Sequence, residues 1–127
     1  MDITSPIAKG KNIINSYSDS GFKISEKKFA KAVILTLDKV KEIDLALDQI
    51  NNAEKLLSFL IEFSDQEIDT LLIGTGSQHQ RWNAGTRARI KEKFPSVSVD
   101  EMSTGAACRT FNILALEDRN VAAILVI

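Results

Sequence analysis

The stretch that decides the fold is Thr70-Leu71-Leu72-Ile73-Gly74-Thr75-Gly76, an apolar run that ends in a pair of glycines. Its continuous apolar character predicts a strand over 68–73 that is buried on both faces of a sheet. The glycines predict a turn where that strand ends. Because ligands bind at the carboxyl ends of strands in open α/β sheets, this segment is the first candidate site.

Two interpretations of Gly74-Thr75-Gly76 remain open. Glycines let a ligand approach the backbone closely, which favours a binding loop. However, the segment lacks the Gly-Lys-Ser/Thr ending of a phosphate loop and the glycine spacing of a dinucleotide fingerprint. The alternative is a tight turn that packs closely on a neighbouring element.

Helix and strand patterns alternate through the second half of the chain, from residue 50 onward. This alternation favours crossover connections, a largely parallel sheet and helices that cover it. The predicted elements are a helix with the apolar stripe Ala53, Leu56, Leu57, Leu60 and Ile61, the strand 68–73, a helix over 83–94 that Pro95 ends, a strand over 97–99, a helix over 104–117 and a strand over 121–127.

The first part of the chain predicts antiparallel strands instead. A turn cluster at 18–21 separates the apolar residues before it from the alternating strand 22–24. Residues 31–37 predict a third strand, and Val40 with Ile43 predicts a short fourth one. We expect this meander to pack beside or onto the main sheet, within a single domain over 1–127 whose segment 1–12 is irregular.

Composition excludes several classes of function. Hydrophobic residues make up 44% of the 127 residues and charged residues 26%, and the net charge is −1, so no global field attracts nucleic acid. A single cysteine and a single histidine, His79, predict neither a disulfide nor a metal site, and we expect no cofactor. No apolar run approaches the roughly 20 residues of a transmembrane helix. The first 20 residues lack the apolar core of a secretion signal, which favours a cytoplasmic protein.

The helix that begins at Thr104 carries the second glycine segment. Ser103 or Thr104 can cap it, Gly105 keeps its first turn slim, and its free backbone N–H groups could hold an anion. Cys108 is either a nucleophile whose pKa the helix end and Arg109 lower, or a small buried hydrophobe.

A polar pair, Arg109 and Asn112, lies on this otherwise apolar helix. Such groups need partners when they are buried. They could hold a ligand, or they could bind loop carbonyls such as those near Gly74.

Basic side chains cluster in the helix predicted over 83–94 and in the residues just before it. The functional interpretation is a surface for an acidic partner or a phosphate, and the alternative is a solvated helix face that acids elsewhere balance. The residues are Arg81, Arg87, Arg89, Lys91 and Lys93, with Trp82 beside the first of them.

Together these segments resemble a known family of small domains. The resemblance rests on Leu72-Ile73-Gly74-Thr75-Gly76, on Met102, on the run from Thr104 to Asn112 and on Val121-Ala122-Ala123. The family includes the third of the mitochondrial respiratory complex I assembly factors and many uncharacterised bacterial and archaeal proteins. The resemblance implies three layers: a mixed central sheet, packed helices and a small N-terminal antiparallel sheet. It implies no catalytic residues, and it implies a protein partner.

Two functional hypotheses follow. The first is a non-enzymatic interaction or assembly protein, bacterial and bound to the inner membrane only through a partner. The second is a small-molecule or anion-binding domain, or an enzyme, with its site between the glycine loop and the helix over 104–117. We expect Phe59, Phe63 and Trp82 to be exposed, and the formation of a homo-oligomer would bury them. The candidate binding residues are Gly74, Thr75, Gly76, Arg81, Thr104, Gly105, Cys108, Arg109 and Asn112.

Overall fold

The computed structural model describes residues 11–64, 66–77 and 83–127. Its strands are β1 (Ile14–Ser18), β2 (Gly21–Ile24), β3 (Lys27–Phe29), β4 (Val33–Leu35), β5 (Val40–Glu42), β6 (Thr70–Thr75), β7 (Ser98–Met102) and β8 (Val121–Val126). Its α-helices are α1 (Ala53–Ile61), α2 (Ala84–Lys93) and α3 (Thr104–Leu116), and a short 3-10 turn lies at Leu47–Gln49. The segment 1–10, together with His79, Arg81 and Trp82, lies outside the described residues.

The strands form two sheets. The larger has the order β5-β4-β8-β6-β7, and the smaller has the order β1-β2-β3. In the larger sheet β6 runs parallel to both β7 and β8, whereas β4 runs antiparallel to β8 and β5. The mixed central sheet, the covering helices and the small antiparallel sheet are therefore confirmed.

One topological expectation was wrong. The sequence predicted one antiparallel meander of four strands, the last two over 31–37 and at Val40 with Ile43, and it did not predict β3. In the structure the meander consists of β1, β2 and β3 and ends there. Strand β4 instead pairs with the last strand of the chain, with Val33 opposite Leu125 and Leu35 opposite Ala123. The apolar run Val33–Leu35 is buried on both faces, and only a central position in the larger sheet provides such burial.

The central strand β8 separates two hydrophobic cores. Ala122, Ile124 and Val126 face the core that α1 and α2 cover. Val121, Ala123 and Leu125 face the core that α3 and the small sheet cover. Because successive side chains of a strand point to opposite faces, this continuous apolar run contributes side chains to both cores.

Local sequence signals set the helix boundaries. The Asn52 side chain caps α1 by accepting a hydrogen bond from the backbone N–H of Lys55 at 3.1 Å. Asn83 caps α2 in the same way through Gly85 N, at 2.7 Å. Helix α2 ends at Lys93, two residues before Pro95, as the sequence predicted.

The predicted set of exposed apolar residues needs a correction. Phe63 is only 4% exposed and lies in the core below α1, because the chain turns back towards the sheet after the helix. Phe59 is half-buried against the same core. Among the residues that the structure describes, the exposed large apolar side chains are Ile61, Ile113 and Leu116, with 61%, 57% and 43% of their surface exposed.

Candidate functional site

The two glycine segments lie against each other at the carboxyl end of β6. The backbone N–H of Thr104 donates to the carbonyl of Gly76 at 2.8 Å, and Gly76 N donates back to Thr104 Oγ1 at 2.8 Å. Thr104 Oγ1 in turn donates to the carbonyl of Val126 at 2.6 Å. One threonine therefore ties together the ends of two parallel strands and the start of α3. We call Gly74–Gly76, Thr104 and Val126 the glycine junction.

The glycine junction is closed by close packing. A Cβ atom on Gly74 would lie 2.9 Å from Thr104 Oγ1 and 3.1 Å from Thr104 Cα, which is too close for a larger residue. Gly76 has a φ of +95°, a backbone conformation that residues with a side chain rarely adopt. These contacts favour the close-packing turn over the ligand loop.

Tyr17 of β1 reaches the junction from the small sheet. Burial raises the pKa of its hydroxyl, the nearby Cys108 raises it further, and a hydrogen bond with the Thr104 side chain acts in the opposite direction. The ring of Tyr17 stacks on Phe22, with 5.2 Å between ring centroids. The sequence analysis did not identify Tyr17, because its partners on α3 are far away along the chain and no local sequence pattern indicates such contacts.

The start of α3 is partly capped by the protein itself. Ser103 Oγ accepts a hydrogen bond from the backbone N–H of Ala106 at 3.4 Å, and the Thr104 N–H is bound to Gly76. Thr75 Oγ1 donates to the carbonyl of Met102 just before the helix, at 3.1 Å. Gly105 is half-buried in this first turn. Of the donors that the sequence suggested for an anion, two already bind protein oxygens.

Cys108 lies in the core between α3 and the central sheet. Its side chain is fully buried among apolar residues. Burial raises the pKa of its thiol to about 12, against a smaller opposing effect of the Arg109 charge. A thiol with this pKa is neutral at physiological pH and is a poor nucleophile, so the structural interpretation of Cys108 is favoured.

The polar pair on α3 separates into two different roles. Asn112 is 4% exposed, and its carboxamide forms two hydrogen bonds of 2.9 Å with the backbone N–H and C=O of Ile14. The amide therefore imitates a neighbouring strand at the edge of β1. These two hydrogen bonds join α3 to β1. Arg109 lies on the exposed side of α3.

Three of the basic residues of α2, Arg87, Arg89 and Lys91, are matched by oxygen atoms. Arg87 pairs with Glu101 of β7, and Arg89 pairs with Glu54 of α1. Lys91 Nζ donates to the carbonyl of Val97 at 2.6 Å. These contacts favour the interpretation of a helix face balanced by acids.

Two clefts lie at the opposite end of the central strands. One of about 460 Å³ opens between the end of α1, the end of α2 and Asn120, which precedes β8. Within the described ranges, no group of three metal-binding side chains comes together. None of the helices in these ranges has the length and the apolar composition of a membrane-spanning segment.

The two sheets, the helices on both faces and the closed glycine junction define a three-layer α/β domain. Residues 14–126 match a family described as a protein of unknown function, DUF498/DUF598, and the chain belongs to that family. The predicted family resemblance is thereby confirmed.

The most informative relatives carry different names. The chain is 28% identical over 94% of its length to a Danio rerio protein named NADH dehydrogenase [ubiquinone] 1 alpha subcomplex assembly factor 3, and it covers 66% of that protein. It is 30% identical to a 13 kDa major membrane protein of Francisella tularensis, over 87% of this chain and 86% of that one. The crystal structure of an outer membrane protein from Bartonella henselae is 37% identical, covers 92% of this chain and 95% of that one, and superposes with a TM-score of 0.76.

Proposed function

We propose that this protein is a non-enzymatic interaction protein that helps to assemble a larger complex, with respiratory complex I as the specific candidate. The relative in Danio rerio that is named as a complex I assembly factor supports this role. That protein is longer than this chain, so the assignment concerns the part that the two share.

The observation that carries the proposal is the closed glycine junction. Thr104 uses its backbone N–H and its hydroxyl to bind Gly76 and Val126, at the sheet edge where an α/β enzyme would place its substrate. Cys108 is a buried, neutral thiol, and the Asn112 amide is bound to Ile14. The side chains best suited to chemistry thus stabilise the fold, which favours a role in binding a protein partner.

A stripe on the outer side of α3 is the surface that we assign to the partner. Arg109, Ile113 and Leu116 follow one another at spacings of four and three residues, so they share one helix face. Ile113 is 57% exposed and Leu116 43% exposed. Arginine is enriched among the residues that dominate binding at protein interfaces. Exposed apolar side chains gain free energy when a partner removes them from water.

The test is affinity capture of the tagged protein from its native cell, followed by mass spectrometry. We expect subunits of respiratory complex I to be recovered with the wild-type chain. The double variant Ile113→Ser, Leu116→Ser should lose most of this recovery. Ile61→Ser is the matched control, because Ile61 is as exposed but lies on α1, across the sheet from α3.

Two results would contradict the proposal. Recovery of no respiratory-chain subunit, or a source organism without complex I, would overturn the specific assignment. Equal loss of recovery in the α3 variant and the α1 control would overturn the assigned surface. Localisation at the inner membrane through this partner is part of the same proposal.

The alternative function, an anion or small-molecule site between the Gly74–Gly76 loop and the start of α3, has a separate test. It requires Arg109→Ala to weaken the binding of inorganic phosphate or a carboxylate while the fold stays intact. The described contacts of Thr104 and Asn112 favour the interaction role over this alternative.

A further inference from the structure

Strand β7 forms one outer edge of the larger sheet, with β6 on its other side. The backbone N–H of Ser98 points towards β6, because it donates to the carbonyl of Asp69 at 2.9 Å. Backbone groups of successive residues point to alternate sides of a strand, so the carbonyls of Val97 and Val99 point outward. An outer edge of this kind is a template for a further strand.

Two positively charged side chains of α2 donate hydrogen bonds to these outward carbonyls. Lys91 Nζ donates to Val97 O at 2.6 Å, and Arg87 Nη1 donates to Val99 O. Arg87 also pairs through Nη2 with the carboxylate of Glu101, the next residue whose backbone points outward. Together, Arg87 and Lys91 form what we call the edge clamp.

The geometry of a helix beside a strand explains why one helix can supply both donors. Arg87 and Lys91 are four residues apart, which is about 6 Å along a helix. Val97 and Val99 are two residues apart, which is about 6.6 Å along a strand. The rise of one helical turn therefore matches the repeat of the outward carbonyls, and α2 presents side-chain donors where a neighbouring strand would present backbone donors.

We propose that β7 is a latent strand-pairing edge, which the edge clamp keeps closed and which pairs with β7 of a second copy of this chain when the clamp is removed. This inference concerns self-association and is independent of the proposed assembly function. It assigns to Arg87 and Lys91 a role that a balanced, solvated helix face does not have.

The sequence of β7 suits pairing with itself. An antiparallel two-fold arrangement centred on Val99 would let the two Val99 residues exchange both backbone hydrogen bonds. It would also place Asp100 of each copy opposite Ser98 of the other, so no two like charges would face each other directly. Such a contact is closed and symmetric, as dimer interfaces usually are.

The test compares two double variants by sedimentation velocity over a range of protein concentrations. The clamp variant is Arg87→Met, Lys91→Met, which removes both donors and keeps an unbranched, flexible side chain at each position. The control is Arg89→Met, Lys93→Met, which removes the same charge from the same helix. We expect the mass of the clamp variant to rise to about twice that of the wild type, whereas the control should sediment as the wild type does.

A third substitution tests the register. Ser98→Asp in the clamp variant places a carboxylate opposite Asp100 in both halves of the proposed pair, and it should restore wild-type sedimentation. Far-ultraviolet circular dichroism establishes that each variant is folded. If the double variant does not fold, Lys91→Met alone, which leaves the Arg87–Glu101 pair in place, should show weaker association in the same direction.

Three results would contradict the proposal or its register. A folded clamp variant that sediments as the wild type at every concentration would overturn the proposal. Equal association of the clamp variant and the control would also overturn it, since loss of charge would then be the cause. Association that survives Ser98→Asp would refute pairing centred on Val99.

Discussion

At the scale of single residues, small side chains hold the glycine junction together. Gly74 has no space for a Cβ atom, because Thr104 lies against its α-carbon and Leu125 Cδ2 would be 2.9 Å away. Thr104 can reach Gly76 and Val126 only because the backbone of α3 approaches β6 this closely. Gly74 must therefore be a glycine, because Thr104 lies where any larger residue would place its Cβ atom.

The first prediction concerns Gly74→Ala. The added methyl group must displace Thr104, so we expect the free energy of unfolding to fall by about 1–3 kcal/mol, as overpacked cores usually show. Chemical denaturation measures this change. Gly85→Ala is the control, because its Cβ would meet only the side chain of Asn83, at 3.0 Å, and alanine is the better helix former. A loss as large for Gly85→Ala would contradict the argument.

The second prediction concerns pH and Cys108. The folded chain raises the thiol pKa from 9.0 to about 12, so the unfolded chain loses this proton first as the pH rises. Stability from this group is therefore complete below about pH 9 and declines towards pH 12, by up to about 1.4 kcal/mol per pH unit. Urea titrations at pH 8, 9 and 10 should give a steeper decline for the wild type than for Cys108→Ala. Parallel slopes would rule out this contribution.

At the scale of elements, α3 joins the two sheets. Its inner face packs on β6 and β8 through Ala107, Phe111 and Ala115. Beside this apolar face, Asn112 binds both backbone groups of Ile14 in β1. Thus one helix both covers the larger sheet and completes the edge of the smaller one.

The third prediction concerns Asn112→Ala. This change leaves the buried N–H and C=O of Ile14 without their partner, so we expect a loss of about 2–4 kcal/mol of stability. Thermal or chemical unfolding tests it. Asn83→Ala is the comparison, since it removes an exposed helix cap worth about 1 kcal/mol. Equal losses for the two variants would mean that the link between α3 and β1 adds nothing beyond a helix cap.

At the scale of the whole molecule, the small sheet shares its hydrophobic core with α3 and the larger sheet. Ile14, Phe22 and Ile24 belong to the same buried cluster as Leu72, Phe111 and Leu125. A sheet of three short strands has little stability of its own. We therefore expect the small sheet to unfold together with the rest of the domain.

The fourth prediction is a cooperative loss of stability in Phe22→Ala. Removing this buried ring should cost about 3–5 kcal/mol, and hydrogen exchange should accelerate in β8 as well as in β2. Amide exchange measured by mass spectrometry or NMR distinguishes the outcomes. Faster exchange confined to β1–β3 would show that the small sheet opens independently.

The sequence predicted the elements more reliably than their contacts. The apolar runs 70–73 and 121–127 predicted strands buried on both faces, and the structure has β6 and β8 there. The apolar stripe of α1 and the exit of α2 before Pro95 were equally readable, because they depend on residues within one or two turns. The candidate site could be located at the glycines, but the partners of its side chains could not.

What the sequence determined by itself was therefore the order and type of the elements from residue 50 onward, the membership of the family and the two glycine segments. Only the tertiary structure decided that Thr104 closes the junction, that Asn112 serves Ile14, and that β4 leaves the meander to pair with β8. The physical reason is distance along the chain. Asn112 and Ile14 are 98 residues apart, and periodicity and capping rules act over a few residues, so such a pair is fixed only when whole layers pack.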